Sequence, residues 1–140
     1  LVIKDTLLEK HYNEGRYEPL PLAEAVRWSV NLLKGFEKAG VTVLKLGLHP
    51  SEGLLSGDDL IAGPWHPSFR ELVLTGIWRE LFEPLMKMED DSIVIEVPQN
   101  EINYAIGYQS ANRQLLLRKF RRVEIKGNPG LRNREFNIIR

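Results

Sequence analysis

Between Pro21 and Gly40, the small and apolar residues Leu22, Ala25, Val26, Ser29, Leu32, Leu33 and Phe36 recur at intervals of three and four. That spacing lines one side of a helix, and a helix with one apolar side needs a second layer to bury it. Two β-prone runs flank it, Leu1-Val2-Ile3 and Val41 to Leu48. A shorter helix lies between the first run and the long helix: Thr6 and Glu9 have capping-box spacing, and Gly15 can close it. Tyr17 to Pro21 is extended, because each residue before a proline is pushed out of the helical region. The order strand, helix, helix, strand predicts parallel strands joined by a helical crossover.

Residues 49–66 are rich in glycine and proline and read as a loop. Pro67 suits the first position of a helix, with His66 before it. Phe69, Leu72, Val73, Ile77, Leu81 and Phe82 form that helix's apolar face, and Pro84 ends or kinks it. Glu89-Asp90-Asp91 is an acidic break. Beyond it, Ser92 to Val97 reads as a strand stopped by Pro98. Asn100 is placed to cap a short helix closed by Gly107, and Ser110 to cap a second helix reaching Phe120. Val123 to Lys126 and Glu135 to Ile139 are strands about the turn Gly127-Asn128-Pro129-Gly130. Three segments are expected: 1–48, a connector over 49–91, and a lobe over 92–140.

Nineteen basic and nineteen acidic residues cancel, so any electrostatic function must come from a local patch. One exists. Residues 111–126 hold Arg113, Arg118, Lys119, Arg121, Arg122 and Lys126 against the single acid Glu124. The chain has no cysteine, which excludes disulfides, thiolate metal sites and a cysteine nucleophile. No apolar run approaches the ~20 residues of a membrane helix, and no signal peptide is visible, so the expected location is the cytoplasm. Leu1 in place of Met gives the look of an excised piece. His49, Glu52, Asp58, Asp59 and His66 match no zinc spacing and are expected to be loop polars and a helix cap. Trp28, Trp65 and Trp78 are expected to pack rather than stack on bases.

Three passages resemble one family. LVIKDTLLEKHYNEGRYEPLPLAEAV resembles the late barrel segment of radical-SAM enzymes, with Asp5 where the family usually has glycine. VTVLKLGLHPSEGL with AGPWHPSFRELV, and INYAIGYQSANRQLLL, are similar to the C-terminal region of radical-SAM proteins. These are of the elongator-catalytic-subunit-like or oxygen-independent coproporphyrinogen III oxidase-like kind. The resemblance implies an α/β fold: closing strands and helices of a partial barrel-type parallel sheet over 1–48, then a small lobe. It also implies a parent protein with an iron–sulfur cluster on three cysteines and S-adenosylmethionine. Those cysteines would lie in an N-terminal radical-SAM core that is this chain's partner. The chain itself is then not catalytic alone and carries no catalytic, cofactor-binding or metal residues.

The last lobe, βααββ in order, resembles a KH module. Ile106-Gly107-Tyr108-Gln109-Ser110 stands where such a module has its GxxG loop, with Ser110 at the second glycine and Tyr108 and Gln109 at the usual basic pair. The resemblance implies phosphate contacts from Gly107, Tyr108, Gln109 and Ser110, from Asn112, and from Arg113, Arg118 and Lys119 on the following helix. The function it implies is positioning of an RNA, tRNA-like substrate. Two alternatives stand beside it. One is part of a coproporphyrinogen-oxidase-like oxidoreductase, whose carboxylated substrate would also favour arginines. The other is a structural or oligomerisation lobe, in which strands of 1–48 left bare drive self-association.

Overall fold

Thr6 and Glu9 open the first helix in the computed structural model, which describes residues 1–139. Thr6 Oγ1 accepts the Glu9 amide at 3.3 Å. Glu9 Oε2 accepts the amide of Asp5 at 2.7 Å, one residue earlier than a regular capping box would place it. Asp5 is left-handed, with φ 60°.

Two compact units divide the chain, Leu1–Arg70 and Glu71–Arg140. The first holds β1 (Val2–Ile3), α1 (Leu7–Asn13), α2 (Leu22–Lys38), α3 (Glu52–Ser56) and β2 (Leu60–Ala62). The boundary falls in the first turn of α4 (Phe69–Phe82). The second unit continues with β3 (Ser92–Pro98), α5 (Ile102–Ile106), α6 (Ala111–Leu117), β4 (Arg122–Asn128) and β5 (Asn137–Ile139).

In the first unit the expected parallel sheet is replaced by a two-stranded antiparallel ribbon, with Val2 opposite Ala62 and Ile3 opposite Leu60. Val41 to Leu48 is not a strand. It has no regular secondary structure, and among the described residues no backbone hydrogen bond involves 42–48. β-propensity reflects fit to a paired, half-buried surface, and none of the described strands pairs with this segment. Leu44 is therefore 91% exposed. Part of the presumed loop 49–66 is ordered instead: Ser51 caps α3 and residues 60–62 are the partner of β1. The buried apolar side chains here are Val2, Val30, Leu33 and Leu54. α2 buries the side containing Val30 and Leu33, while Trp28, Leu32 and Phe36, spaced by four, stay exposed.

The second unit holds a larger core. β3 is central, parallel to β4 from Ser92↔Arg122 to Pro98↔Asn128 and antiparallel to β5. Alternation along β3 sends Ile93, Ile95 and Val97 inward. They meet Trp78, Phe82, Leu85, Ala105, Leu116, Phe120 and Val123. Phe136 packs edge-on to Phe82, with ring centroids 5.8 Å apart. Trp78 Nε1 donates to Glu101 Oε2 at 2.9 Å, and Arg134 pairs with the same carboxylate. A helical crossover thus joins the parallel β3 and β4, whereas the one predicted within residues 1–48 does not form. Pro84 does end α4 as a helix; a 3₁₀ turn over Glu83–Lys87 follows. Two helix ends differ from expectation. A 3₁₀ turn over Gln99–Glu101 precedes α5, so Asn100 is no N-cap. α6 stops at Leu117, short of Phe120, which turns into the core.

Candidate functional site

The turn between α5 and α6 is the most constrained backbone in the second unit. Gly107 has φ 88° and ψ 156°, a region open to glycine alone. Gln109 (φ 50°) and Ser110 (φ 62°) follow in the left-handed region. A Cβ on Gly107 would come within 2.9 Å of the Asn112 amide nitrogen and 3.0 Å of Thr75 Cγ2. The glycine is thus required by contacts inside the protein.

The turn's amides are also largely used internally. Gly107 N–H donates to Asn103 O at 3.0 Å and Ser110 N–H to Gly107 O at 2.8 Å. Tyr108 N–H donates to Thr75 Oγ1 at 2.8 Å. Asn112, only 1% exposed, donates from Nδ2 to the Thr75 carbonyl at 3.0 Å. Its side chain braces the turn from inside and presents nothing to a ligand. Its Oδ1 is buried without a partner. Ser110 makes no capping bond; its backbone is left-handed, whereas a capping residue takes an extended conformation.

Arg113 and Arg118 share hollows with residues of this turn, and the other basic residues follow along the chain. Arg113, Arg118, Lys119 and Arg121 are exposed and make no ion pair among the described residues. Arg122 and Lys126 instead share Glu124 at 3.7 and 3.3 Å. Two adjacent hollows border α6. One is lined by Ser110, Arg113, Gln114, Leu117 and Arg118. The other runs between α4 and α6 and shares Gln114 and Arg118 with the first. Of the residues singled out in the sequence, Tyr108, Gln109, Ser110, Arg113 and Arg118 line these hollows. Gly107 and Asn112 hold the turn. Thr75 and Arg79 were missed. Thr75 is a buried hydroxyl among the apolar residues of α4, a signal that could have marked it. Nothing in the sequence tied Arg79 to a turn thirty residues away.

In the loop, His66 Nδ1 accepts the Ser68 amide at 3.0 Å within a turn; α4 begins at Phe69, not at the expected Pro67, so His66 is not its cap. Asp58 bonds Ser56, and the Asp59 carbonyl accepts the Lys4 amide at 2.9 Å. Among the described residues, no three His, Asp or Glu side chains gather as a metal site. None of the described helices is long and apolar enough to cross a membrane.

Compared with protein families, residues 1–79 match the Radical_SAM C-terminal domain. That span covers the first unit and most of α4, including Thr75 and Arg79; the turn and α6 lie beyond it. No curated protein and no solved structure matches the chain. Radical-SAM proteins hold an iron–sulfur cluster on thiolates. With no cysteine among its 140 residues, this chain offers no ligand set for that cluster. The match extends over more than half of the chain, which belongs to the radical-SAM C-terminal domain family.

Proposed function

We propose that this chain is the substrate-positioning part of a radical-SAM protein, and that its second unit holds an RNA, tRNA-like in class, by its phosphates. Family membership implies an N-terminal radical-SAM core as the partner. The chemistry belongs to that core. The reading rests above all on one observation: Arg113, Arg118 and Lys119 stand exposed around one short helix, without ion-pair partners among the described residues. Surface cations usually find carboxylates when these are near, and unpaired ones supply affinity for phosphates without sequence choice.

The phosphate contacts come from side chains. A KH-like loop would offer backbone amides, but here Gly107, Tyr108 and Ser110 donate theirs within the protein. The βααββ order and the glycine turn support the likeness; the Thr75 brace makes the loop a fixed platform for the cations beside it. In the first unit, the bare 41–48 segment and the exposed stripe Trp28, Leu32 and Phe36 suit burial against the core's sheet, as strands and a helix of a partial barrel would be.

Binding of a labelled tRNA measured against salt is the test. The affinity should fall linearly on log–log axes, because bound phosphates release counterions. Arg113→Ala and Lys119→Ala should each reduce the slope by about 0.7–0.9. Binding that ignores salt, or that survives both changes intact, would remove the reading.

A further inference from the structure

The turn at Gly107–Ser110 separates two hollows of opposite character. On one side the lining is Glu71, Thr75, Asn100, Asn103, Tyr104 and the turn itself, and its only charge is the Glu71 carboxylate. On the other side the lining contains two guanidinium groups, Arg79 and Arg118, and no acid. Neither arginine makes an ion pair among the described residues. Helical spacing explains the convergence. Leu72, Thr75 and Arg79 lie three and four apart on one side of α4, and Ala111, Gln114, Leu115 and Arg118 do the same along α6. An anion entering this hollow meets both guanidinium groups.

We infer that this hollow between α4 and α6 receives one unpaired nucleotide of the RNA, with Arg79 and Arg118 on its phosphate. The inference rests on the RNA reading above and adds to it a residue, Arg79, and a preference for single-stranded over duplex RNA. Three features select a nucleotide. Leu72 and Leu115 are half-buried and give an apolar floor on which a base can lie. Tyr108 adds an aromatic ring at the border; base–aromatic contact does not depend on sequence. Gln109 and Gln114 bring amides that both donate and accept, matching the edge of a base that is free of its complement. The hollow measures about 400 Å³, within the ~300–1,000 Å³ range of small-ligand pockets. A base inside a duplex could not enter it, since its faces and its edge are occupied. The neighbouring hollow, with Arg113 beyond the shared Gln114 and Arg118, continues the same cationic track for the next phosphate.

The experiment compares a labelled single-stranded oligoribonucleotide with the same sequence as a duplex, using the full chain. The unaltered protein should prefer the single strand. Arg79→Ala should weaken single-strand binding roughly tenfold, the scale of a lost charged hydrogen bond, and duplex binding far less. Arg79→Lys should restore only part, because lysine keeps the charge and loses the fork. Gln114→Glu, on the exposed side of α6, should weaken the single strand again by placing a carboxylate in the hollow. Circular dichroism should be unchanged for these surface substitutions. If Arg79→Ala binds as the parent does while Arg113→Ala is weakened, the hollow is overturned and the wider RNA reading stands. A duplex bound as tightly as the single strand overturns it too. Competition by poly-glutamate equal to that by the oligonucleotide would replace the nucleotide with an acidic peptide. If the unaltered chain binds neither RNA at low salt, the RNA reading itself falls.

Discussion

At Gly107 the structure shows a requirement internal to the fold. A glycine between two helices was expected to clear a path for phosphates. The structure instead surrounds it with Asn112 and the Thr75 methyl, and a positive φ holds the turn in place. Gly107→Ala should therefore destabilise the protein by about 1–3 kcal/mol, through backbone strain and a Cβ without room. Thr75→Val keeps the side chain's shape and removes the oxygen that accepts the Tyr108 amide. It should cost about 1 kcal/mol, since one hydrogen bond of ordinary strength is lost. Urea unfolding measures both. Equal stability of Gly107→Ala and the parent would mean that the turn relaxes freely, contrary to the close contacts drawn above. Asn112 and Arg113 make the same point from adjacent positions. Both are polar residues at the start of α6, yet one is buried as a brace and the other is exposed. Sequence spacing gave their neighbourhood, while only packing separates their roles.

The elements that were legible in the sequence are those whose stability is local or whose pattern has one solution. α2 forms where its spacing placed a helix, with Pro21 before it and its end just short of Gly40, but of the predicted apolar stripe Leu32 and Phe36 stay exposed and Val30, outside that stripe, is buried with Leu33. β3 follows its alternation and stops at Pro98. The order strand, helix, helix, strand was legible in the second unit, although a parallel crossover was predicted only for the first. It failed in the first unit because a strand is a statement about a neighbour, and Val41 to Leu48 has none. The ribbon partner of β1 came from residues 60–62, hidden among glycines and prolines that marked the stretch as a loop. The site divided in the same way. The basic run on α6 could be read directly, whereas Arg79 reaches the site only through the packing of α4 beside α6. The bare segment makes a prediction at this scale. In the isolated chain, amide hydrogens of 42–48 should exchange at nearly the rate of an unstructured peptide, because no acceptor holds them. Addition of the N-terminal core should protect them. Protection in the isolated chain would show a pairing partner already in place.

Over the whole molecule, the two units are unequally furnished. The first buries Val2, Val30, Leu33 and Leu54, while all of the exposed large hydrophobics except Leu117 and Ile139 belong to it. The second buries a continuous cluster that includes Trp78, Phe82 and Phe120. It also ties the 3₁₀ turn before α5 to α4 by the bond from Trp78 to Glu101. Each fully buried large apolar side chain contributes about 1.5–3 kcal/mol relative to exposure. The imbalance is therefore many times RT, and the second unit should outlast the first in denaturant. The tryptophans allow the units to be followed separately. Trp28 and Trp65 belong to the first and Trp78 to the second. A Trp28→Phe, Trp65→Phe chain reports the second unit alone by fluorescence. Far-UV circular dichroism also counts α2, the longest helix, which belongs to the first. In urea, part of the helical signal should be lost before the Trp78 emission shifts. Addition of the radical-SAM core should then draw the two transitions together, by covering Trp28 or its replacement, Leu32, Phe36 and the 41–48 segment. A single coincident transition in the isolated chain would instead mean that the first unit draws its stability from the second.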